Sequence, residues 1–306
     1  MYVIRDFDPW RGELCTCPPK YSLQPYTGCS HKCIYCYATS YIRTKDVRPK
    51  KEFISRLIRD LKHIDLRRPI NMSTSSDPYL PEEHNYRLTR QALEILIPIG
   101  AKILITTKGT LIERDVDIIR GGNVAVMITI TTLDEGLARI IEPNAPSPSM
   151  RLSLIKILSK NNIPVGVRID PIIPYVNDDK NQLIELVDKV VEYGAQHIVT
   201  STYKAKADNF KRVITAFSEL ESKLIKLYKS SPEKHSGYLY LRRNLRKKIL
   251  DPVIGEALRL NITVATCREG FSQYSPSCDG THLIPMKIKA RRPTLTQYLS
   301  ITGLSR

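Results

Sequence analysis

The sequence predicts an α/β protein built on a parallel sheet. Short apolar, strand-like segments alternate with longer segments of helical period, six times in succession. The length, 306 residues, suits one α/β barrel with extensions. A cysteine-rich loop directly follows the first strand-like segment, and barrels of this kind keep their chemistry at the C-terminal ends of strands.

Residues 1–20 carry no clear periodicity, but Cys15-Thr16-Cys17 stands before Pro18-Pro19, half of a candidate metal site. Residues 21–26 read as a strand, and Gly28 permits a tight turn into the loop. A basic stretch follows (Arg43, Lys45, Arg48, Lys50, Lys51), then Phe53, Leu57, Ile58 and Leu61 at helical spacing. Strands are expected at 70–74, 101–106, 123–131, 163–169 and 197–200. Helices are expected at 86–97, 111–119, 149–159 and 182–191, with one long helix at 208–229.

Hydrophobic residues make up 42% and charged residues 25%, the balance of a soluble globular chain. No apolar run approaches the roughly 20 residues of a membrane span. The N-terminus, Met-Tyr-Val-Ile-Arg-Asp, lacks the plan of a signal peptide, so a cytoplasmic protein with no membrane partner is expected. A formal charge of +16 favours a polyanionic partner such as nucleic acid, although a solvated Lys-rich surface gives the same count. Seven cysteines, an odd and clustered set, point to metal rather than to a disulfide framework.

Residues 28–37 read Gly-Cys-Ser-His-Lys-Cys-Ile-Tyr-Cys-Tyr and set Cys29, Cys33 and Cys36 at C-x3-C-x2-C spacing. Thiolates are soft donors suited to iron–sulfur clusters and zinc, and three of them leave one iron of a four-iron cube open to a small molecule. A structural zinc knot would need a fourth ligand, for which the loop offers only His31. The loop resembles the cluster loop of the radical S-adenosylmethionine (SAM) superfamily. The resemblance implies a [4Fe-4S] cluster whose open iron chelates SAM, reductive cleavage of SAM to a 5'-deoxyadenosyl radical, and an electron donor such as a reductase or a ferredoxin-type protein. It implies a partial (βα)6 TIM-type barrel with N- and C-terminal extensions, here 1–20, 21–230 and 231–306. It also puts Tyr35 beside the adenine.

Further segments resemble the spore photoproduct lyase-like (DNA repair photolyase-like) branch of that superfamily: Ser76-Asp77-Pro78-Tyr79, Thr107-Lys108, Thr129 to Thr132, Glu142-Pro143 and Pro171 to Pro174. Ser76, Asp77, Lys108 and Thr129 fall where the branch handles the methionyl and ribose groups of SAM, with Thr129 in place of a serine. Arg168, polar in an otherwise apolar strand, is a further candidate cofactor contact and needs an anionic partner if it faces inward. The branch's hydrogen-donor cysteine, just before the Ser-Asp pair, is Ser75 here. An O–H bond is too strong to take over a thiol's part, so the resemblance does not carry that repair route to this chain.

Past residue 230, Leu241, Leu245 and Ile249 recur every four residues, which predicts a helix presenting Arg242, Arg243, Arg246 and Lys247 to solvent as a candidate phosphate-binding face. Lys287, Lys289, Arg291 and Arg292 form a second basic run, and Tyr238 and Tyr240 could stack on bases or fill core. Asp251-Pro252 reads as a new helix start. A strand at 262–266 leads to Cys267, and Cys278 follows. With Cys15 and Cys17 these make four thiols, expected to meet and bind a second iron–sulfur cluster or a zinc. Two other readings stay open: a zinc-containing nucleic-acid-binding protein, and an iron–sulfur electron-transfer protein.

Overall fold

The computed structural model of the chain describes residues 2–7, 14–42, 46–73, 75–230 and 233–291; Arg43, Lys45, Thr74 and Arg292 of the segments above lie outside them. Eight strands form one sheet in strict chain order: β1 (Ile4–Asp6), β2 (Tyr21–Leu23), β3 (Ile70–Met72), β4 (Ile103–Thr107), β5 (Val124–Thr129), β6 (Val165–Ile172), β7 (His197–Thr202) and β8 (Thr263–Thr266). Strand β1 pairs antiparallel with β2, and every later neighbour is parallel. The end strands β1 and β8 do not pair, so the sheet is an open, partial TIM-type barrel. The segment beyond residue 230 contributes β8 to this same sheet.

Helices return the chain between parallel strands: α1 (Phe53–Asp60), α2 (Leu88–Leu96), α3 (Pro148–Lys160), α4 (Lys180–Glu192), α5 (Ala207–Ala216) and α6 (Arg243–Arg259). Local chemistry starts them where the sequence suggests. Ser147 accepts a hydrogen bond from Met150 N ahead of Pro148 in the first turn of α3, and the Asp179 carboxylate caps α4 through Asn181 N and Gln182 N. Among the described residues no helix is long and apolar enough to cross a membrane.

Two helical expectations are corrected. The segment 208–229 is broken at Phe217 (φ −131°, ψ 61°), and a second helix, Glu221–Lys229, follows. The break lets both halves bury a face, through Val213 in the first and Leu224 and Tyr228 in the second. Asp251-Pro252 is not a helix start, because Pro252 lies inside α6. Lys248, whose carbonyl loses its intrahelical partner there, is exposed, while neighbouring Leu250 and Val253 are buried and hold the helix in place.

Successive side chains of a strand point to opposite faces, and here the two faces have different covers. Ile103, Ile105, Val124, Val126 and Ile128 belong to the main core under the helices. Leu104, Ala125, Met127 and Val199 form a smaller interior cluster, packed by Cys267, Leu283 and Ile284. A C-terminal loop, 277–284, thus fills the lower part of the barrel's inside. Gly280 makes the approach possible, with φ +90° and a position where a Cβ would lie 2.5 Å from Met127 Sδ. His282 of this loop meets His197 of β7 edge to face, with ring centroids 4.8 Å apart.

Candidate active site

Above that plug, at the C-terminal ends of the parallel strands, lies a cavity of about 290 Å³. Its wall holds all seven cysteines of the chain, from loops 15–17, 29–36 and 267–278. Tyr35, Ser76, Asp77, Lys108, Thr129 and Arg168 line the same space.

The loop bearing Cys29, Cys33 and Cys36 is gripped from several sides. Gly28 has φ +84°, and a Cβ there would meet the Asp46 carbonyl at 2.5 Å. Ser76 Oγ donates to the Gly28 carbonyl at 2.6 Å. Buried His31 bridges the Asp77 carboxylate (3.3 Å) and the Asn144 carbonyl (3.2 Å). From α5, Arg212 donates to the carbonyls of Ile34 (3.0 Å) and Cys36 (2.7 Å), and Asn209 donates to that of Tyr35 (3.1 Å). Backbone carbonyls occupied in this way fix where the three thiols point.

Asp77 organises the loop ends rather than reaching freely into the cavity. It accepts from Thr107 Oγ1 (2.6 Å) and from the amides of Lys108 (2.7 Å) and Tyr79 (2.9 Å). Burial alone would raise its pKa, but the His31, Thr107 and Lys108 donors outweigh it and hold the carboxyl down at about 2. Burial and the nearby Asp77 charge push the Cys29 thiol up to about 12, and burial raises Cys33 as well. Both thiols hold protons near neutral pH, so metal binding here must release them.

A second organising residue is Glu142, buried at the C-terminal end of the short helix Glu135–Ile141 that follows β5. It accepts from the Tyr35 hydroxyl and from Thr131 Oγ1 (3.1 Å), and pairs with buried Arg151 at 2.6 Å. Arg151 also donates to the Thr129 carbonyl at 2.8 Å. Lys108 Nζ stands 4.0 Å from Glu142 and 5.6 Å from the Tyr35 ring centroid. Tyr35, Thr129 and Lys108 are thus tied to one carboxylate. Ser75 donates its hydroxyl to Gln24 Oε1.

The other four thiols come from segments far apart in the sequence to the wall of the same cavity. Cys17 and Cys278 are 3.4 Å apart, and Cys15 hydrogen-bonds Cys17. Hydrogen bonds from Cys15 and Cys278 and the charge of Lys20 favour the thiolate of Cys17. Lys20 itself is buried and paired with Asp279. Cys267, at the end of β8, is raised by burial and lies against the Arg168 guanidinium. Arg168 finds its anionic partner in Asp170, which also accepts from Ser201. Asp170, two residues beyond Arg168 in β6, faces the same side by the strand's alternation, and the β6–β7 register shifts only between Ile169 and Ile172. The thiols ring the space rather than closing on a point: among the described residues no three His, Cys, Asp or Glu side chains already converge as ligands of a single ion. Their chemistry nevertheless suits soft metal centres, and the three-thiol loop fits a cluster with an open iron.

Arg246 is corrected from a solvent-facing residue to a buried one, paired with Glu269 (2.9 Å) and with Glu233. Glu269 also binds Lys204 at 2.9 Å and the Thr202 amide at 2.7 Å. Tyr238 and Tyr240 are buried too, and so do not form an exposed stacking platform. Sequence reasoning missed His31, Glu142, Arg151, Asp170 and Arg212 as site residues. His31 stood in the cysteine loop, where it was weighed only as a zinc ligand, and Glu142 stood in the marked Glu142-Pro143 pair.

A family model described as the Radical SAM superfamily matches residues 23–187, more than half of the chain. An uncharacterized protein of Mycobacterium tuberculosis is 27% identical over 252 residues, covering 76% of this chain and 73% of that one. An uncharacterized protein of Methanocaldococcus jannaschii is 36% identical over 166 residues, covering 52% and 62%. Among solved structures, a spore photoproduct lyase complexed with dinucleoside spore photoproduct superposes with a TM-score of 0.63 at 15% identity, over 80% of this chain and 75% of that one. Streptococcus suis SuiB bound to S-adenosylmethionine gives 0.53 at 16% identity, over 80% and 49%. At these identities the structural likeness is one of fold.

Proposed function

The chain belongs to the radical SAM superfamily, and from that premise we propose that Cys29, Cys33 and Cys36 carry its [4Fe-4S] cluster while Tyr35, Ser76, Asp77, Lys108, Thr129 and Arg168 position SAM. The protein is an enzyme, and a bound cluster with SAM, given an electron from an external donor, would supply a 5'-deoxyadenosyl radical able to take hydrogen from an unactivated carbon. One observation carries the assignment: the three thiols and the six side chains line a single cavity.

The chain's own residues then divide the work. Arg212, Asn209 and Ser76 hold the loop backbone so that the thiols face inward. Glu142 aims the Tyr35 ring and keeps Lys108 at the wall, where its ammonium can meet a carboxylate. Arg168, neutralised by Asp170, offers a directed donor without adding net charge. A second iron–sulfur cluster or a zinc would fall to Cys15, Cys17, Cys267 and Cys278.

The substrate we favour is nucleic acid. The net charge of +16 supports this, as does the fold shared with a spore photoproduct lyase solved in complex with dinucleoside spore photoproduct. Ser75 supplies no thiol, so no cysteine hydrogen donor stands at that position.

The test is anaerobic reconstitution followed by electron paramagnetic resonance of the reduced protein with and without SAM. A spectrum that shifts with SAM, deoxyadenosine formation after reduction, and loss of both in Cys33→Ala are expected. Zinc without iron, or a cluster indifferent to SAM, would sink the assignment. Binding to a single-stranded oligonucleotide should weaken steeply as salt rises; no binding at low salt removes nucleic acid as the substrate.

A further inference from the structure

Four thiols remain once the cluster loop has its three, and their place in the fold says more than their number. Cys15 and Cys17 come from the segment between β1 and β2, Cys267 from the end of β8, and Cys278 from the loop that fills the barrel. These segments are distant in sequence and converge on the strands at the sheet's two open edges. Cys17 and Cys278 already stand 3.4 Å apart, with buried Lys20 beside them and Asp279 next in chain to Cys278. Gly280 pins this loop against Met127 on the barrel's inside.

The two thiol sets are close neighbours. Tyr37 follows Cys36 directly and lies within electrostatic reach of both Cys36 and Cys267, with Arg168 beside it. Arg168 in turn contacts Cys267. These four thiols form part of the wall of the cavity that the first three also line.

We infer that Cys15, Cys17, Cys267 and Cys278 hold a second metal centre that faces the first across the same cavity, so that substrate lies between two metal centres. The inference rests on the assignment of Cys29, Cys33 and Cys36 to the first cluster. The donor set is four thiolates, which either a cube of iron and sulfide or a single zinc accepts. Lys20 and Arg168, each shared between a carboxylate and a thiol, offset part of the negative charge such a centre carries.

The experiment compares wild type with the triple variant Cys29→Ala/Cys33→Ala/Cys36→Ala, both purified and reconstituted without oxygen, by iron, sulfide and zinc analysis. The triple variant should keep a stoichiometric metal: iron with sulfide if the centre is a cluster, or zinc replaceable by cobalt with thiolate-to-cobalt absorption. Adding Cys17→Ser should release that metal, and Cys15→Ser serves if that protein fails to fold. In wild type, a paramagnetic second centre, reduced cluster or cobalt, should speed relaxation of the first cluster's resonance in power-saturation curves.

A metal-free triple variant beside a wild type whose resonance shifts with SAM overturns the second centre and leaves the first intact. A retained metal without relaxation coupling overturns its placement on the shared cavity. If the triple variant keeps all the wild-type metal and wild type ignores SAM, the first assignment fails and takes with it the placement of substrate between two centres, while metal binding at the four thiols stands.

Discussion

The two thiol sets are built in opposite ways. Cys29, Cys33 and Cys36 come from eight consecutive residues, and their surroundings (Ser76, His31, Glu142, Arg212) orient a loop that already holds all three. Cys15, Cys17, Cys267 and Cys278 meet only when the barrel's two edges and its C-terminal plug are in place. The first is a local motif propped by the fold, and the second is a product of the fold. A local motif tolerates damage elsewhere, whereas a site made of remote pieces fails with whatever holds those pieces together.

That contrast can be broken by substitution. Glu269→Ala should have the largest effect. It leaves buried Arg246 without one of its partners and the Thr202 amide without its acceptor, a loss of about 3–5 kcal/mol in urea unfolding by the usual cost of breaking a buried pair. Metal at the second thiol set should fall with it, and metal at the first set should persist in whatever protein remains folded. Arg212→Ala should act the other way, lowering the iron affinity of the first loop about 10- to 100-fold, as loss of an outer-shell partner does, and sparing the second set. Competition with a chelator reads both. Gly280→Ala, forced against Met127 Sδ, should cost about 1–3 kcal/mol and loosen the plug. Equal metal loss from both sets in these variants would erase the distinction.

Acid offers the gentlest discrimination. Burial holds the His197 pKa down at about 4, against an ordinary 6.5, while Asp77 is held at about 2 against 3.8. Both groups have folded values below their unfolded ones, so each contributes stability at higher pH that is lost as pH falls through its window. For His197, under the plug and facing His282, Thr263 and Asp279, the window runs from 6.5 down to about 4. For Asp77 it opens only below 3.8. In metal-free protein, hydrogen exchange at 277–284 should therefore quicken between pH 6.5 and 4, before exchange at 28–37 changes. His197→Gln should remove that step.

The same contrast governs what the sequence made legible. Strands at 101–106, 123–131 and 163–169 differ from the observed β4, β5 and β6 by three residues or fewer at each end, because apolar runs and turn residues are local signals. The three-cysteine loop was readable for the same reason. Arg212 was not, since an arginine four residues after Asp208 reads as an exposed helical pair, and nothing local says that it reaches the loop carbonyls. Arg246 looked like part of a solvated basic face because Glu233 and Glu269, which bury it, lie elsewhere in the chain. Glu142 and Arg151 pair across the turn from helix Glu135–Ile141 into α3, a contact that periodicity does not encode.

The interior plug also sets an order of events during synthesis. Leu104, Ala125, Met127 and Val199 are all made before residue 200, yet the loop that covers them begins at residue 277. Until the ribosome delivers that stretch, the nascent barrel carries an uncovered apolar lining, and the second thiol set lacks Cys278. The first loop, complete by residue 36, can receive its cofactor long before then, so any loading of the second site belongs to the finished chain.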